Sequence, residues 1–165
     1  MKIEIERRFL AQGFPQDLRV DGELLQQGYL SEAPRTVRVR VGYEYACITI
    51  KLPAPGDTGY DGMLEFEYDI PWSDGNALYR SPEIAGRVEK ERYTIAHKDH
   101  ADLKWEVDIF LGKNDPLIIA EIELPSKDME ISLPPWIGRE ITGNTWYSNE
   151  RLAFYPMSVE PRPIE

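Results

Sequence analysis

The sequence predicts a mainly β protein with a largely antiparallel sheet, and three observations support this. Seven segments alternate charged with apolar residues, the period at which a strand turns successive side chains to opposite faces. The connections are short and show no strand–helix–strand rhythm, which favours antiparallel pairing. The length of 165 residues suffices for a sizeable core. We expect one domain over 1–165, with a frayed tail over 156–165.

Composition narrows the classes of partner and compartment. The chain carries 29 acidic and 19 basic residues, a formal net charge of −10, so its surface should repel nucleic acid and anionic membranes. No apolar run approaches the roughly 20 residues of a membrane span, and the charged N-terminus is unlike a secretory signal. A single cysteine, Cys47, cannot form an intrachain disulfide. This favours a reducing compartment, and we expect the cytoplasm.

The first predicted strand covers the opening residues, MKIEIERRFL. Glu4, Glu6 and Arg8 fall on alternate positions, so two carboxylates and a guanidinium share one face. The apolar residues between them occupy the other face. In the segment 11–27, Gly, Pro and Asp residues break the alternation, and its leucines predict a turn or short helix.

The next strands carry a basic row and then an acidic one. In TVRVRV, Arg38 and Arg40 alternate with valines, and Lys51 joins them across a hairpin from the strand YACITIKLP. The strand MLEFEYDIP returns to acids, with Glu65 and Glu67 opposite its apolar residues. The segment SDGNALYRSPEIAG predicts a short helix that a serine or aspartate near its start would cap.

The second half of the chain again carries charged pairs on alternating strands. The pairs are Lys90 and Arg92 in VEKERYTI, Glu106 and Asp108 in LKWEVDIFLG, and Glu121 and Glu123 in LIIAEIELP. Near the C-terminus, a short strand is predicted around 139–142 and a helix over about 145–154.

The charged rows leave two arrangements open. Their signs are mostly segregated by strand, with Arg8 the exception inside an acidic strand. In the usual layout, such rows face water and the apolar rows meet inside a sandwich or small barrel. In the other, the sheet closes with its charged rows inward. Because an unpaired buried ion costs several kcal/mol, bound cations and a strongly anionic guest would have to compensate.

A series of short motifs resembles, in order, those of the CYTH superfamily, also called the triphosphate tunnel metalloenzymes. They are EIERRF, RVR followed by TIK, EFE, EKERY, WEVDIF with AEIEL, and EITGNTWYSN, spread over roughly residues 2–155. The resemblance implies the inward arrangement: a closed antiparallel barrel of about eight strands with a few short helices outside. Its lumen would be a charged tunnel for a triphosphate and one or two Mg²⁺ or Mn²⁺ ions.

The resemblance also implies roles for individual residues. The implied metal ligands are Glu4, Glu6, Glu65, Glu67, Asp108, Glu121 and Glu123, with Glu106 beside them. The implied triphosphate clamp is Arg38, Arg40, Lys51, Lys90 and Arg92, and Lys51, Lys90 and Arg8 are expected to act in catalysis. Arg8 stands where the family's first motif usually ends in lysine. A planar guanidinium cannot reproduce a compact ammonium, so we expect different geometry there.

The activity implied is metal-dependent hydrolysis of a triphosphate, above all inorganic tripolyphosphate, since nothing in the chain suggests an added domain for an organic moiety. A class IV-like adenylyl cyclase, a thiamine triphosphatase and a non-catalytic polyphosphate-binding module remain as alternatives. The apolar rows Val37-Val39-Val41 and Ile48-Ile50 need cover on the outside of the sheet. We therefore also expect a homodimer.

Overall fold

The computed structural model describes residues 5–53, 63–126 and 128–165, and one antiparallel sheet dominates them. The strands are β1 (Ile5–Ala11), β2 (Glu23–Ser31), β3 (Thr36–Val41), β4 (Ala46–Pro53), β5 (Met63–Ile70), β6 (Gly86–Ala96), β7 (Lys104–Phe110), β8 (Ile118–Leu124) and β9 (Ile137–Glu140). The α-helices are α1 (Trp72–Arg80) and α2 (Asn149–Phe154), and 3₁₀ turns cover Gln16–Leu18, Gly112–Asn114 and Thr145–Tyr147. Within these ranges, no helix has both the length and the apolar character needed to cross a membrane.

The sheet curls around a central cavity. Its strand order is β5-β4-β3-β2-β6-β7-β8-β1-β9, and β1 and β5, far apart in that order, both contribute to the cavity wall. The predicted architecture, a mainly antiparallel β fold around a charged channel with short helices, is confirmed. Nine strands form the described sheet instead of about eight, and no hydrogen-bonded ladder closes β5 onto β9 among the described residues.

On β1 and β7, the inward face of the strand changes from apolar to charged along its length. On β1, Leu10 is buried in an apolar cluster while Arg8 and Glu6 line the cavity, and on β7 the same change runs from Phe110 to Glu106. The apolar ends pack against Leu152 of α2 and form the floor of the cavity. The structure therefore has the inward arrangement of the charged rows.

Two apolar layers cover the outer face of the sheet. Trp105 of β7 packs edge-on against Phe9 of β1 and against Trp136, at ring-centroid distances of 5.7 and 5.9 Å. Elsewhere on the same outer face, α1 lies over β3 and β4. A Cβ at Gly75 of α1 would lie 2.3 Å from the Ala46 Cβ, so the close approach of helix and sheet requires glycine there.

The helix α1 also bears on the expected dimer. It covers the outward-facing Val39 and Val41, so these valines are buried within a single chain. Ile48 and Ile50 are only half-buried. The chain thus supplies part of the cover that was expected from a second subunit, and the homodimer stays a prediction.

Three local predictions were wrong. Within 11–27, Leu18 does end a short 3₁₀ helix, Gln16–Leu18, but Leu24 and Leu25 belong to β2, which begins at Glu23. No side chain caps α1, whose N-cap residue is Pro71. The tail 156–165 does not fray: its Arg162 is buried and donates from Nη2 to the Tyr155 carbonyl at 2.8 Å. Its prolines prevent a regular element, but side-chain hydrogen bonds still anchor the segment.

Candidate active site

The cavity has a volume of about 1050 Å³ and brings most of the predicted site residues together. Its wall includes Glu6, Arg8, Arg38, Arg40, Lys51, Glu65, Glu67, Arg92, Glu106, Glu121 and Glu123. Lys90 and Asp108 do not line it and are buried beside it, each at 1% exposure. Glu4 lies outside the described residues.

One wall is built from cross-strand rows of β3, β4 and β5. The registers place Arg38 opposite Thr49 and Thr49 opposite Glu67, so the three side chains cross the sheet in one row. Arg38 Nη2 donates to Thr49 Oγ1 at 2.9 Å and to Glu67 Oε2 at 3.2 Å. In the next row, Lys51 Nζ lies 2.9 Å from Glu65 Oε2. Each base in these two rows is therefore matched by a carboxylate of β5.

The electrostatics of this wall keep Glu67 ionised and leave part of Arg40 unsatisfied. Partial burial would raise the pKa of Glu67, but the hydrogen bond from the Thr49 hydroxyl and the charges of Arg40 and Arg38 lower it overall. Arg40 Nε is buried and has no hydrogen-bond partner among the described residues. A guanidinium N–H group without a partner is suited to donate a hydrogen bond to an anionic guest.

The opposite wall rests on a buried ion-pair network. Asp108 accepts from Lys90 Nζ at 2.5 Å and from Arg92 Nε and Nη2 at 2.7 and 2.8 Å. Burial alone would raise the pKa of Asp108, yet Lys90 and Arg92 lower it to about 2. Arg92 also pairs with Glu106 and reaches Glu121 at 3.5 Å. The network thus joins β6, β7 and β8 beneath the charged lining.

Arg8 connects this network to the floor of the cavity. Its Nε donates to Glu121 Oε1 at 2.7 Å and its Nη2 donates to the Tyr147 carbonyl at 3.0 Å. The side chain is 10% exposed. Two donors of one rigid fork are used in different directions, so a lysine at this position would be unable to reproduce both contacts with the same geometry.

The acids of β1, β7 and β8 face one another across the ladders. Glu6 is opposite Glu123 in the β1–β8 register, and Glu106 is opposite Glu121 in the β7–β8 register. Like charges directly opposite one another destabilise a sheet, and carboxylate oxygens are the donors that hard divalent cations prefer. The donor type therefore fits such a cation. Across 5–53, 63–126 and 128–165, however, no three carboxylate, histidine or cysteine side chains are already assembled into a ligand set.

Comparison with known proteins decides the family. Residues 2–153 match the sequence model described as the CYTH domain. The chain belongs to the CYTH family. Among CYTH relatives, the inorganic triphosphatase of Acetivibrio thermocellus is 37% identical over 154 residues, covering 93% of this chain and 94% of that protein. The inorganic triphosphatase of Nitrosomonas europaea is 35% identical over 159 residues, covering 91% and 96%.

A solved CYTH structure agrees with this placement. The crystal structure of an inorganic triphosphatase superposes with a TM-score of 0.71 at 32% sequence identity, and the match covers 93% of this chain and 96% of that one. The predicted family is thereby confirmed, together with the fold class.

Two residues expected in the CYTH ligand or clamp sets have their polar groups occupied. Both oxygens of Asp108 accept from nitrogen donors, so a metal would have to compete with Lys90 and Arg92. Lys90 also donates at 3.1 Å to Asn149 Oδ1, and Asn149 lines the cavity. The roles of Asp108 as a metal ligand and of Lys90 as a clamp residue and catalyst stay predictions.

Several lining residues of this CYTH chain were missed by sequence reasoning. They are Tyr29, Thr36, Asp102, Lys104, Ser148, Asn149 and Glu150. Tyr29 sits on the inward face of β2, where burial raises its pKa to about 12 despite the nearby Arg38. Glu150 accepts from Ala33 N at 2.6 Å and from Thr36 Oγ1 at 2.9 Å, tying α2 to the β2–β3 connection. The motif ending in YSN was the one available signal for the α2 contribution.

Proposed function

We propose that this protein is a metal-dependent triphosphatase whose substrate is inorganic tripolyphosphate. The observation that carries the proposal is that the wall of one cavity brings together a basic row of Arg38, Arg40 and Lys51 and the carboxylates of β1 and β8. The two CYTH relatives that carry the name inorganic triphosphatase support the same activity.

The basic row is suited to a chain of phosphates. Arg38 and Arg40 are two residues apart on one face of β3, a separation of about 7 Å, so they would contact different phosphoryl groups of one guest. Guanidinium groups donate in pairs to phosphate oxygens, and the Lys51 ammonium adds a compact charge. These groups would hold and orient the substrate and neutralise its charge as the reaction proceeds.

The lining favours an inorganic substrate over a nucleotide or thiamine ester. Among the described lining residues, Tyr29 is the one aromatic, and it is buried and hydrogen-bonded to Gln27. An organic ring would find no stacking surface there. The charged surface of the cavity is suited to phosphoryl oxygens instead.

A divalent cation would be held by Glu6 and Glu123, with Glu121 and the predicted ligand Glu4 as further donors. We propose Mg²⁺ or Mn²⁺, which in such sites supplies a water of lowered pKa and neutralises phosphoryl oxygens. Arg8 and Arg92 fix the orientation of Glu121 from below. The family resemblance implies Glu65 and Glu67 as alternative ligands for this cation.

The test is phosphate release, with Mg²⁺ or Mn²⁺, from tripolyphosphate, thiamine triphosphate and nucleoside triphosphates. We expect tripolyphosphate to be preferred, and Lys51→Ala and Glu6→Ala to lose at least about tenfold in kcat/KM. Lys98→Ala is the matched control, because Lys98 is 70% exposed and lies outside the cavity lining. Release from none of these substrates would overturn the proposal. Cyclic AMP with pyrophosphate would indicate a cyclase, and binding without turnover would indicate a binding module.

The compartment and assembly are separate proposals. We place the protein in the cytoplasm because its single cysteine, Cys47, is free and buried. We place a homodimer contact on the outer face around Ile48 and Ile50, which α1 leaves half-buried. Light scattering that shows only monomer at micromolar concentration would remove the dimer.

A further inference from the structure

We propose that Glu65 and Glu67 of β5 are specificity-determining residues that compete with the substrate's phosphates for Lys51 and Arg38. The inference rests on the proposed function and deepens it. It gives these two carboxylates a role different from the metal binding implied by family resemblance.

The contacts of the two carboxylates carry the inference. Glu65 Oε2 lies 2.9 Å from Lys51 Nζ, and Glu67 Oε2 lies 3.2 Å from Arg38 Nη2. These are the distances at which a phosphoryl oxygen would contact the same nitrogens. A phosphate that binds Lys51 or Arg38 at full strength must therefore displace the carboxylate or share its donor.

The positions of the two pairs make displacement feasible. The side chains of Glu65 and Glu67 are 46% and 44% exposed, whereas Asp108 of the opposite wall is 1% exposed. A displaced carboxylate on β5 can be hydrated at once, while a displaced Asp108 would stay buried without water to hydrate it. Thr49 also remains as a second acceptor for Arg38 when Glu67 leaves. The pairs on β5 are thus the replaceable ones.

Competition of this kind discriminates between anions by their charge. Every guest competes with the same two carboxylates, but a triphosphate offers more oxygens to the bases than a single phosphate does. A triphosphate therefore makes enough contacts with the bases to outcompete the carboxylates, whereas a single phosphate makes the fewest. The same competition weakens the binding of orthophosphate after hydrolysis, so the carboxylates assist product release.

The test compares Glu65→Gln and Glu67→Gln with Asp69→Asn. Asp69 lies on the same strand and is opposite Cys47, and no ion pair joins it to a base among the residues described. Steady-state hydrolysis gives KM, the inhibition constant of orthophosphate and the Mg²⁺ concentration for half-maximal rate. Calorimetry of tripolyphosphate binding in EDTA independently measures the affinity of the basic row for tripolyphosphate when no divalent cation is available.

We expect each glutamine variant to lower KM about two- to fivefold, the range for an exposed ion pair. The orthophosphate inhibition constant should fall at least as far, the Mg²⁺ requirement should not change, and Asp69→Asn should have a smaller effect. Glu65→Gln keeps the test valid if Glu67→Gln fails to fold, since Glu65 contacts only Lys51 among the described residues.

An unchanged or higher KM in the glutamine variants, or a raised Mg²⁺ requirement, would overturn the inference, and a raised requirement would identify the carboxylates as metal ligands. If wild type binds tripolyphosphate in EDTA without hydrolysing it, the proposed function fails by itself. The dissociation constant then replaces KM in the comparison, with the same expected and contrary results.

Discussion

Lys90 Nζ lies 2.5 Å from Asp108 Oδ2, and the two side chains are equally buried at 1% exposure. Arg92 completes the arrangement by donating to both oxygens of the same carboxylate. Asp108 thus holds Lys90 beneath the charged lining and positions Arg92 in the cavity wall.

Removal of the Asp108 charge should destabilise the fold. In Asp108→Asn, the buried Lys90 side chain would lose its anionic partner, and we expect a loss of about 3 kcal/mol in the free energy of unfolding. Urea denaturation measures this loss. Asp102→Asn is the control, because Asp102 is exposed, and it should stay within about 0.5 kcal/mol of wild type. Equal stability of the two variants would show that the network contributes little.

The lowered pKa of Asp108 also makes the stability of the fold depend on pH. The pKa of Asp108 is lowered to about 2 in the folded state, below its usual value, so its contribution is present above pH 4 and is lost as the pH falls towards 2. For this single group we expect about 2 kcal/mol. Unfolding measured between pH 5 and pH 2 should show a smaller decline in Asp108→Asn than in wild type. Parallel curves for the two proteins would contradict the assignment.

The charged i, i+2 pairs made the strands and their cavity face predictable from sequence. They identify which residues share a face, as Glu121 and Glu123 do on β8, and the ordered motifs decide that this face points inward. The sequence did not predict which residues of an inward face line the cavity and which are buried below its floor. Arg92 lines the cavity while Lys90, two residues away on the same face, is buried, because the floor formed by α2 reaches the level of Lys90.

Contacts between segments distant in sequence were also beyond sequence reasoning. Glu150 and Asn149 enter the cavity because α2 packs under the sheet, and apart from the motif ending in YSN no local pattern marks that placement. The tail was predicted to fray from its prolines, but the Met157 amide donates to Asn114 Oδ1 at 2.9 Å and the Ser158 amide donates to the Lys113 carbonyl at 3.0 Å. Local propensity predicts elements, whereas such anchoring depends on the assembled fold.

The fork of Arg8 predicts the effect of a lysine at that position. Arg8→Lys would keep the charge but lose one of the contacts to Glu121 and the Tyr147 carbonyl, so we expect about 1 kcal/mol less stability. Arg7→Lys is the matched control, since Arg7 pairs with Glu140 at the surface and should change stability by less than about 0.5 kcal/mol. Urea midpoints compare the two. An Arg8→Lys protein as stable as wild type would show that the fork is not needed.

Arg40 and Arg38 should respond differently to substitution. Arg40 Nε has no hydrogen-bond partner in the described part of the chain, so Arg40→Gln should weaken tripolyphosphate binding about ten- to a hundredfold with little loss of stability. Arg38→Gln should reduce both binding and stability, because Arg38 also holds Thr49 and Glu67. Calorimetry and thermal unfolding on the same samples separate the effects. Unchanged affinity in Arg40→Gln would remove Arg40 from the clamp.

We propose that the cavity holds a triphosphate on its basic row and a divalent cation on its acidic rows. A crystal structure with Mn²⁺ and a non-hydrolysable imidotriphosphate tests it most directly. We expect phosphoryl groups against Arg38, Arg40 and Lys51 and an anomalous Mn²⁺ peak beside Glu6 and Glu123. Density for the triphosphate outside the cavity, with the basic row unchanged, would contradict the account.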